Sequence, residues 1–328
     1  MQKPPAQPSP ESRAARSGQF DAAIFGLIVA DLIASPFNLR NPPAPGGLSL
    51  IDSITLTTGG NVCNVGVAMA KLGMRVAAAG LIGQDILGSA VREKLEQEGV
   101  DTAAIFEEPA AQTSASIVAV EPTGERVFYH TPGVTPLVNA DVFRKCIPML
   151  QWCSFVQIGY FGLLPGLTAD LPELLAELKK ISPRTRVALD TVYPPAAPEL
   201  LWPILPHIDL FAPSRKEAAQ LTGESDPAKM VAAFRKHMPH GLIGIKLDSD
   251  GCYLDDGQSI AKAPACKVNA IDTTGAGDTW FGALMTALAK GMPLQPAARF
   301  ANRAAADCCT ALGASAGIRP FEETLSRM

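Results

Sequence analysis

Residues 272–291 read DTTGAGDTWFGALMTALAKG and carry the strongest local signal in the chain. Trp280, Leu284 and Leu288 recur at helical spacing, so they would share one apolar face of a helix. Gly291 is the residue type that most often ends a helix, because glycine tolerates the left-handed conformation found there. The stretch therefore predicts a helix that begins in its glycine-rich part.

The glycine-rich part predicts a binding site for an anion. Gly275, Ala276 and Gly277 would lie at the helix N-terminus, where unpaired backbone N–H groups point outward and the helix dipole favours negative charge. Asp278 follows at once, in a place where a carboxylate can take the proton of an alcohol that attacks a phosphoryl group. From these residues alone a second interpretation stays open, in which Asp278 only stabilises the first turn of the helix.

Outward from this motif, strand-like and helix-like stretches alternate along most of the chain. The strand-like stretches are short and apolar, and the first one starts directly after Asp21. We expect strands near residues 22–30, 75–82, 154–160, 186–190, 208–214 and 241–247, and helices near 86–99, 170–181 and 228–238. Such alternation predicts an α/β fold with a mostly parallel central sheet flanked by helices.

Two stretches break this alternation and predict a small separate sheet. Residues 35–58 are rich in proline and then strand-like, with no helix before them. Residues 114–130 form two alternating runs around Pro122-Thr123-Gly124, which is typical of a hairpin. We expect lid segments near 35–58 and 112–134 that form a β-sheet lid on one large domain, residues 21–328.

The composition of the 328-residue chain argues against several classes of protein. Hydrophobic residues make up 47% and charged residues 18%, as in folded globular proteins, and a formal net charge of −4 gives no basis for binding nucleic acid or a membrane surface. The apolar runs are shorter than the roughly 18 residues of a membrane span. Seven cysteines without a C-x-x-C pair indicate buried thiols and predict a cytoplasmic protein. Residues 1–20 predict a disordered tail without the apolar segment of a secretory signal.

A second group of candidate ligand-binding residues lies near the N-terminus. Gly59-Gly60-Asn61 and Asn64 precede a helical stretch; adjacent glycines let a backbone approach a ligand closely, and asparagines at i and i+3 present amides on one side. Asp31 ends the first predicted strand, and ligands of open α/β sheets collect at the carboxyl ends of strands. The Gly-Gly-Asn sequence is also typical of an ordinary strand-to-helix turn, so both interpretations stay open here.

Other motif matches fail in their context. Residues 313–317, GASAG, fit the pattern of a nucleophile elbow, but a helical run precedes them where that elbow needs a strand. Residues 248–251, DSDG, start like a calcium loop, but Ser259 stands where the bidentate acid is required. The chain contains no Gly-Lys dipeptide, which excludes a Walker A loop.

Together these motifs resemble the ribokinase-like, or PfkB-type, family of carbohydrate kinases. The N-terminal matches are residues 59–64, GGNVCN, and residues 80–88, GLIGQDILG; the C-terminal match is residues 272–278, and a smaller one is GER at 124–126. The resemblance covers about residues 21–322. It implies a ribokinase-like three-layer α/β fold with a β-sheet lid, and the ATP-dependent phosphorylation of a primary hydroxyl of a sugar.

The resemblance also implies roles for individual residues. Asp278 would be the general base, and the amides of Gly275, Ala276 and Gly277 would form an anion hole for the transferring phosphoryl group. Five residues of the N-terminal motifs would hold substrate hydroxyls: Asp31, Gly59, Gly60, Asn61 and Asn64. The lid commonly forms a dimer clasp in this family, so a homodimer is expected.

ATP and Mg²⁺ are the implied cofactors. Five residues would flank the nucleotide: Ser214, Lys246, Asp248, Gly251 and Asn302. Glu217 would order Mg²⁺ through water, as this hard ion prefers. Family members often need a monovalent cation such as K⁺ beside the anion hole, and Asp272 and Thr274 match that site.

Departures from the family pattern bear on the substrate. Ser214 replaces the asparagine of the family's N-x-x-E, and Asp248 replaces a glycine. Compared with ribokinases proper, an asparagine, a lysine and a glutamate are replaced by Val29, Asn61 and Gly159, which predicts that ribose is a poor substrate. Two alternatives stay open. One is a nucleoside kinase with aromatics of residues 159–161 near the sugar site; the other is a ligand-binding homologue without catalysis, which the presence of Asp278 disfavours.

Overall fold

A nine-stranded sheet forms the centre of the protein. The computed structural model describes residues 20–123, 125–193 and 197–328. With strands numbered along the chain, this sheet contains β1 (Ala22–Phe25), β4 (Val76–Gly83), β5 (Val100–Glu108), β8 (Phe155–Phe161), β9 (Arg186–Thr191), β10 (Leu210–Phe211), β11 (Leu242–Lys246), β12 (Cys252–Asp255) and β13 (Ile260–Ala263). The strands lie in the order β13-β12-β11-β10-β9-β8-β1-β4-β5.

The strands from β5 to β11 in this order run parallel, whereas β12 and β13 pair antiparallel at one edge. The strand β1 lies in the middle, where Ala22 is opposite Val76 on one side and Phe155 on the other. All four residues of β1 are buried, as expected for a parallel strand covered by helices on both faces. The predicted α/β fold with a mostly parallel sheet is confirmed.

Helices cover both faces of the sheet and make the fold three-layered. They are α1 (Gly60–Lys71), α2 (Ile86–Gln97), α3 (Ala140–Leu150), α4 (Leu171–Ile181), α5 (Pro198–Leu201), α6 (Arg215–Thr222), α7 (Pro227–Arg235), α8 (Ala276–Ala289), α9 (Leu294–Cys308) and α10 (Phe321–Ser326). One apolar core contains Met69, Phe281 and Phe300 from α1, α8 and α9. The other contains Phe143 of α3 and Phe234 of α7, so each face of the sheet has its own core.

A second sheet of four strands forms the lid. It contains β2 (Val29–Ser35), β3 (Ser53–Gly59), β6 (Ala115–Val120) and β7 (Arg126–Thr131) in the order β3-β2-β6-β7. The strands β6 and β7 form the predicted hairpin, and β2 pairs antiparallel with β3 and parallel with β6. The separate lid sheet predicted from the sequence is therefore present, with β2 as an additional strand.

The prediction of a single first strand over residues 22–30 is wrong. The chain leaves the central sheet at Gly26, which has φ +148, and continues as β2 of the lid. A side chain at Gly26 would approach the Asn61 amide and the Gly159 carbonyl within about 3 Å, so glycine is required at this bend. Asp31 consequently lies in a lid strand and not at the carboxyl end of a central strand.

The predicted lid and tail segments meet the described residues only in part. Of residues 35–58, the segment that forms β3 starts at Ser53, and residues 36–52 form a loop. The predicted disordered tail, residues 1–20, lies outside the described residues apart from Phe20, which packs against the core. Gly124 of the predicted hairpin turn lies outside them as well. Within the described ranges, every helix is too short or too polar to cross a membrane.

Candidate active site

Asp278 lies in the first turn of α8 and is almost fully buried. Its Oδ2 atom accepts two hydrogen bonds, one from Nδ2 of Asn64 and one from the hydroxyl of Tyr160, each at 2.8 Å. No hydrogen bond from the described residues ends on Oδ1. One carboxylate oxygen is thus held in place while the other is free to accept a proton.

The surroundings of Asp278 set its basicity. Burial raises the pKa of Asp278 above its ordinary value, and the hydrogen bonds of Asn64 and Tyr160 and the charge of Lys246 act in the opposite direction. Burial and the nearby Asp278 also raise the pKa of the Tyr160 hydroxyl well above its ordinary value, so that this group stays a donor. A raised pKa makes the carboxylate a stronger base.

The start of α8 presents backbone amides without acceptors. The helix begins after Gly275, which has φ +73 and no room for a side chain against Ala314. The Ala276 N–H, which was predicted to line the anion hole, bonds to the Thr273 carbonyl at 3.3 Å, and the Thr279 N–H bonds to the Gly275 carbonyl at 2.8 Å. The amides of Gly277 and Asp278 between them have no backbone acceptor among the described residues. Such amides at a helix N-terminus bind anions.

Open space and a positive charge adjoin these amides. A side-chain carbon at Gly277 would meet a single group within 4 Å, the Nζ atom of Lys246 at 3.8 Å. That Nζ donates a hydrogen bond to Oδ1 of Asp190 at 2.9 Å. The space at Gly277 is therefore open and lies beside a positive charge, as the binding of a phosphoryl group requires.

Lys246 and three carboxyl groups form one electrostatic cluster. Burial opposes the charged form of Lys246, but Asp190, Glu217 and Asp278 outweigh it and raise the pKa of the ammonium group. Burial raises the pKa of Asp190 to about 7, with Lys246 opposing this shift and the charges of Glu217 and Asp278 adding to it. Lys246 was predicted to flank the nucleotide; its Nζ lies beside the anion hole as well.

Two residues of this centre were not assigned to it from the sequence. Asp190 lies near the end of β9, and Tyr160 near the end of β8 with φ +51, a left-handed conformation that is unusual for a residue other than glycine. The signal that could have found them is their position, because both lie at the carboxyl ends of parallel strands.

Ser214 and Glu217 form a capping box at the start of α6. The Ser214 hydroxyl accepts from the Glu217 amide, and Oε2 of Glu217 accepts from the Ser214 amide at 2.8 Å and from the Thr191 hydroxyl at 2.7 Å. These bonds fix Glu217 beside Asp190. The predicted nucleotide contact of Ser214 and the predicted water-mediated Mg²⁺ contact of Glu217 stay predictions.

At the other end of the site, Asp31 extends from the lid toward the strand–helix turn at Gly59. A side-chain carbon at Gly59 would overlap the Asp31 carboxylate, and one at Gly60, which has φ +79, would overlap the Leu27 carbonyl. On β6 and β7, Ser116 and His130 lie directly beside Asp31 in the lid register. Because cross-strand partners share a face of the sheet, these three polar side chains form a row above Gly59.

The electrostatics of this row suit a hydroxylated ligand. The Ser116 hydroxyl lies 3.1 Å from Nδ1 of His130. Burial raises the pKa of Asp31, while the hydrogen bond of Ser116 and the charge of His130 lower it in part. A carboxylate flanked by a hydroxyl and an imidazole offers both acceptors and donors to sugar hydroxyls.

The two predicted substrate asparagines have different surroundings. Asn64 donates to Asp278 and thus orients the candidate base. Asn61 is fully buried, its Oδ1 accepts from the Leu27 amide at 2.9 Å, and its Nδ2 has no partner among the described residues. Its amide fills the space beside Gly159, where a side-chain carbon would overlap it. Asn61 is therefore packed against Gly159 with one free amide donor, and its contact with a substrate hydroxyl stays a prediction.

The predicted nucleotide turn follows β11. Asp248 has φ +54, a conformation that the family's glycine adopts without strain, and its side chain is exposed. Gly251 has φ +97 and lies against the backbone at Ala263, so its lack of a side chain serves the close approach of two strands. The nucleotide contacts of this turn stay predictions.

The side chain of Asn302 makes its hydrogen bonds within the protein. Its Oδ1 accepts from the indole of Trp280 at 2.8 Å, and its Nδ2 donates to the carbonyls of Ala263 and Pro264, at 2.9 Å each. The Asn302 side chain thus bonds within the protein, and the prediction that Asn302 flanks the nucleotide stays a prediction. The side chain holds α9 against the segment that follows β13.

Asp272 and Thr274, the predicted monovalent-cation ligands, are in contact with an arginine. Nη2 of Arg126, the first residue of the lid strand β7, donates to Oδ1 of Asp272 at 2.6 Å, and Nη1 donates to the Thr274 hydroxyl. Oδ1 of Asp272 also accepts from the Thr274 amide at 2.7 Å, and Oδ2 from the Gly313 amide at 2.8 Å. The side-chain oxygens of Asp272 and Thr274 are thus already bound to donors, one of them a cation, so these side chains do not fit a free K⁺ ion at this place.

The arrangement defines a class of protein. A carboxylate with one free oxygen, next to unpaired amides and an ammonium group, meets the needs of phosphoryl transfer to an alcohol. These groups lie beside the carboxyl ends of the parallel strands, below the lid. A phosphotransferase with an alcohol acceptor is the class that fold and site define together.

Comparison with known proteins gives the family. The model of the pfkB family of carbohydrate kinases matches residues 19–320, and the chain belongs to this family. The chain is 29% identical to the ribokinase of Haemophilus influenzae over 92% of this chain and 96% of that protein. It is 27% identical to a protein of Arabidopsis thaliana named probable fructokinase-2, over 92% and 94% of the two chains.

Solved structures share the fold. The ribokinase of Arabidopsis thaliana, complexed with ribose and ATP, has a TM-score of 0.78 at 22% identity, with 94% of this chain and 98% of that chain covered. A candidate Ribokinase II of E. coli, in complex with ATP and Mg²⁺, has a TM-score of 0.76 at 19% identity over 94% and 98% of the two chains. The nucleoside kinase of Methanocaldococcus jannaschii has a TM-score of 0.75 at 18% identity over 95% and 99%. The ribokinase-like fold is thereby confirmed.

Proposed function

We propose that the protein transfers the γ-phosphoryl group of ATP to a primary hydroxyl of a sugar, with Asp278 as the general base. The observation that carries the proposal is the asymmetry of the Asp278 carboxylate, whose Oδ2 is held by Asn64 and Tyr160 while Oδ1 is free. Oδ1 would accept the hydroxyl proton as the sugar oxygen attacks phosphorus. The relatives named ribokinase and fructokinase support a sugar as the acceptor.

The phosphoryl end of the site would stabilise the charge of the transferred group. The amides of Gly277 and Asp278 donate toward it, and Lys246 adds a positive charge beside Gly277. Preorganised donors of this kind stabilise developing negative charge without rearrangement during the reaction. ATP bound with Mg²⁺ supplies the phosphoryl group.

The residues present fit Mg²⁺ bound mainly by phosphate and water. Among the described residues, no group of three or more His, Cys, Asp and Glu side chains has the geometry of a metal site. Mg²⁺ commonly keeps several waters and takes one or two carboxylates together with substrate phosphates. Glu217, fixed by its capping box beside Asp190, would supply a carboxylate for such an ion.

The sugar end favours a sugar over a nucleoside. Phe161 is buried in the core and offers a nucleobase no free ring face, and the Tyr160 hydroxyl is directed to Asp278. Asp31, Ser116 and His130 instead offer polar groups from the lid. Closure of the lid would exclude water from the transfer.

The lid also supports a homodimer. Ile54, Ile117 and Tyr129 are 67%, 50% and 65% exposed, and they lie on the lid face opposite to Asp31, because side chains alternate along a strand. An apolar sheet face of this kind favours association with a second copy. Ile117→Asp should lower the molar mass measured by light scattering from dimer to monomer. The matched control is Ile181→Asp, because Ile181 is 47% exposed on α4, outside the lid, and this variant should keep the wild-type molar mass. A monomeric wild-type chain would contradict the proposed homodimer.

A cytoplasmic location is part of the proposal. It is supported by the use of ATP and by seven free cysteines, of which Cys63, Cys146, Cys153, Cys252 and Cys308 are buried.

A coupled assay of ADP release over pentoses, hexoses, other sugars and nucleosides tests the proposed function. The expected result is ADP release with a sugar and its near absence with the Asp278→Asn variant. Faster turnover of a nucleoside than of every sugar would replace the sugar by a nucleoside. If the Asp278→Asn variant released ADP as fast as the wild-type chain, Asp278 would not be the base.

A further inference from the structure

The loop that precedes the anion hole contains a nearly buried carboxylate. The side chain of Asp272 is 6% exposed, and its two oxygens accept hydrogen bonds from the Thr274 amide, the Gly313 amide and the Arg126 guanidinium. Asp272 therefore carries a negative charge in a position with little solvent. A buried charge of this kind requires a positive partner.

Arg126 is that partner, and its geometry is that of a fork. Its two terminal nitrogens reach Asp272 and Thr274 at the same time, one to the carboxylate and one to the hydroxyl. The side chain of Arg126 is 20% exposed, so the pair is shielded from screening by salt. Guanidinium groups hold such paired acceptors with more directional control than a point charge.

The position of this contact ties it to catalysis. Thr274 directly precedes Gly275, the residue from which α8 and its unpaired amides start. Arg126 itself belongs to the lid strand β7, which pairs with β6 of the Asp31–Ser116–His130 row. A single side chain thus connects the lid that covers the sugar with the loop that shapes the anion hole.

We propose that Arg126 is the built-in cation of the Asp272–Thr274 loop, in place of a free monovalent ion, and that it positions the anion hole when the lid is closed. The proposal rests on the proposed phosphotransferase function. Arg126 acts through Thr274 and Gly275 and is a positioning residue. Two consequences follow: activity needs no added K⁺, and removal of the guanidinium creates a binding site for a small cation.

The test compares the full-length wild-type chain with Arg126→Ala in KCl and in choline chloride, at about 0.1 M each so that screening is equal. For the wild type, kcat should be the same in both salts. For Arg126→Ala in choline chloride, kcat should fall roughly tenfold, less than the hundredfold typical for loss of an anion-hole donor itself. KCl should restore most of this loss.

A second measurement does not depend on activity. The melting temperature of Arg126→Ala should rise with KCl relative to choline chloride, because a ligand that binds only the folded state stabilises it. That of the wild type should not respond to the exchange of salts. Arg126→Lys should stay insensitive to K⁺ as well, since its ammonium group keeps the charge.

The matched control is Arg40→Ala. Arg40 is also a lid arginine, paired with Glu125 at 3.4 Å, but its side chain is 77% exposed. Its loss removes the same charge without touching Asp272, so both salt responses should equal those of the wild type.

Three results would overturn the proposal: a wild type activated or stabilised by K⁺ over choline, an Arg126→Ala variant whose melting temperature ignores K⁺, or an Arg40→Ala variant that responds to K⁺ like Arg126→Ala. If the wild type turns over no sugar or nucleoside, the proposed function fails, and the melting temperatures still decide whether Arg126 occupies a cation site.

Discussion

The two ends of the active site are built in different ways. The phosphoryl end is made mostly by main-body segments and contains two ion pairs, Lys246 with Asp190 and Asp272 with Arg126, of which only Arg126 comes from the lid. The sugar end is made partly by the lid, and its candidate ligands Asp31, Ser116 and His130 come from three neighbouring lid strands. The first end is fixed by buried ion pairs, and the second depends on where a separate sheet lies.

We infer from this difference that the phosphoryl end carries the chemistry and the sugar end carries the specificity. The phosphoryl end matches the family motif at residues 272–278 and departs from the family pattern at Ser214 and Asp248. The departures specific to ribokinases, at Val29, Asn61 and Gly159, lie at the sugar end. A change at the phosphoryl end should therefore reduce turnover of every substrate, and a change at the sugar end should reorder substrates.

The largest effect is expected for Asp278→Asn. Asparagine keeps the size and much of the hydrogen bonding but cannot accept the proton, so kcat should fall by about 10²–10⁴, the usual cost of losing a general base. Nucleotide affinity, measured by calorimetry on the folded variant, should stay close to that of the wild type because the amides of Gly277 and residue 278 remain. Retention of more than about a tenth of kcat would return Asp278 to the role of a helix-stabilising residue.

The second largest effect on kcat is expected for Lys246→Met. It removes the charge beside Gly277, and kcat should fall by on the order of 10²-fold with every acceptor, as when a single donor of an anion hole is lost. The control is Lys262→Met, which should keep the kcat of the wild type. Lys262 lies on the edge strand β13, and its ammonium group lies over the ring of Tyr253 on β12. Equal kcat values for wild type and Lys246→Met would assign Lys246 a purely structural pairing with Asp190.

At the sugar end, ribose should be a poor substrate. Asn61 is packed against Gly159, and neither Val29 nor Gly159 offers a polar side-chain group, so ribose hydroxyls that ribokinases bind would stay unpaired at about 1–3 kcal/mol each. The measurement is kcat/KM for ribose beside other pentoses, hexoses and nucleosides. A higher kcat/KM for ribose than for all the others would contradict the expected division between the two ends.

Tyr160→Phe should have the smallest effect and shift the pH profile. The Tyr160 hydroxyl donates to Asp278 and lowers its pKa, so its removal should raise that pKa. Asp278 acts as a base only when ionised; activity is therefore lost as pH falls through its pKa, and the acid limb of kcat/KM should move to higher pH. On the alkaline side of that limb kcat should change little, since phenylalanine fits the same left-handed backbone. An unmoved acid limb would show that Tyr160 does not tune the base.

Local patterns in the sequence were enough to predict the residues of the phosphoryl end. A helix of the right amphipathicity, a glycine-rich start and an adjacent acid follow one another within residues 272–291, so their arrangement is set by helix geometry alone. The alternation of strands and helices likewise predicted the parallel sheet, because each apolar run is long enough for one buried strand.

The predicted strand is wrong where one apolar run of residues supplies strands to two sheets. Residues 22–30 are apolar throughout, and periodicity cannot show that Gly26 turns the chain from the central sheet into the lid. The position of Asp31 therefore could not be obtained from the sequence.

The sequence by itself determined the fold class and predicted a base and an anion hole, since these depend on residues close together in the chain. The tertiary structure alone decided that Asn61 is packed against Gly159, that Asn64 and Tyr160 hold one oxygen of Asp278, and that Arg126 of the lid meets Asp272. Each of these contacts joins residues that are far apart in the chain and lie on different elements. Their distances are fixed by the packing of sheets and helices, which no local pattern of residues encodes.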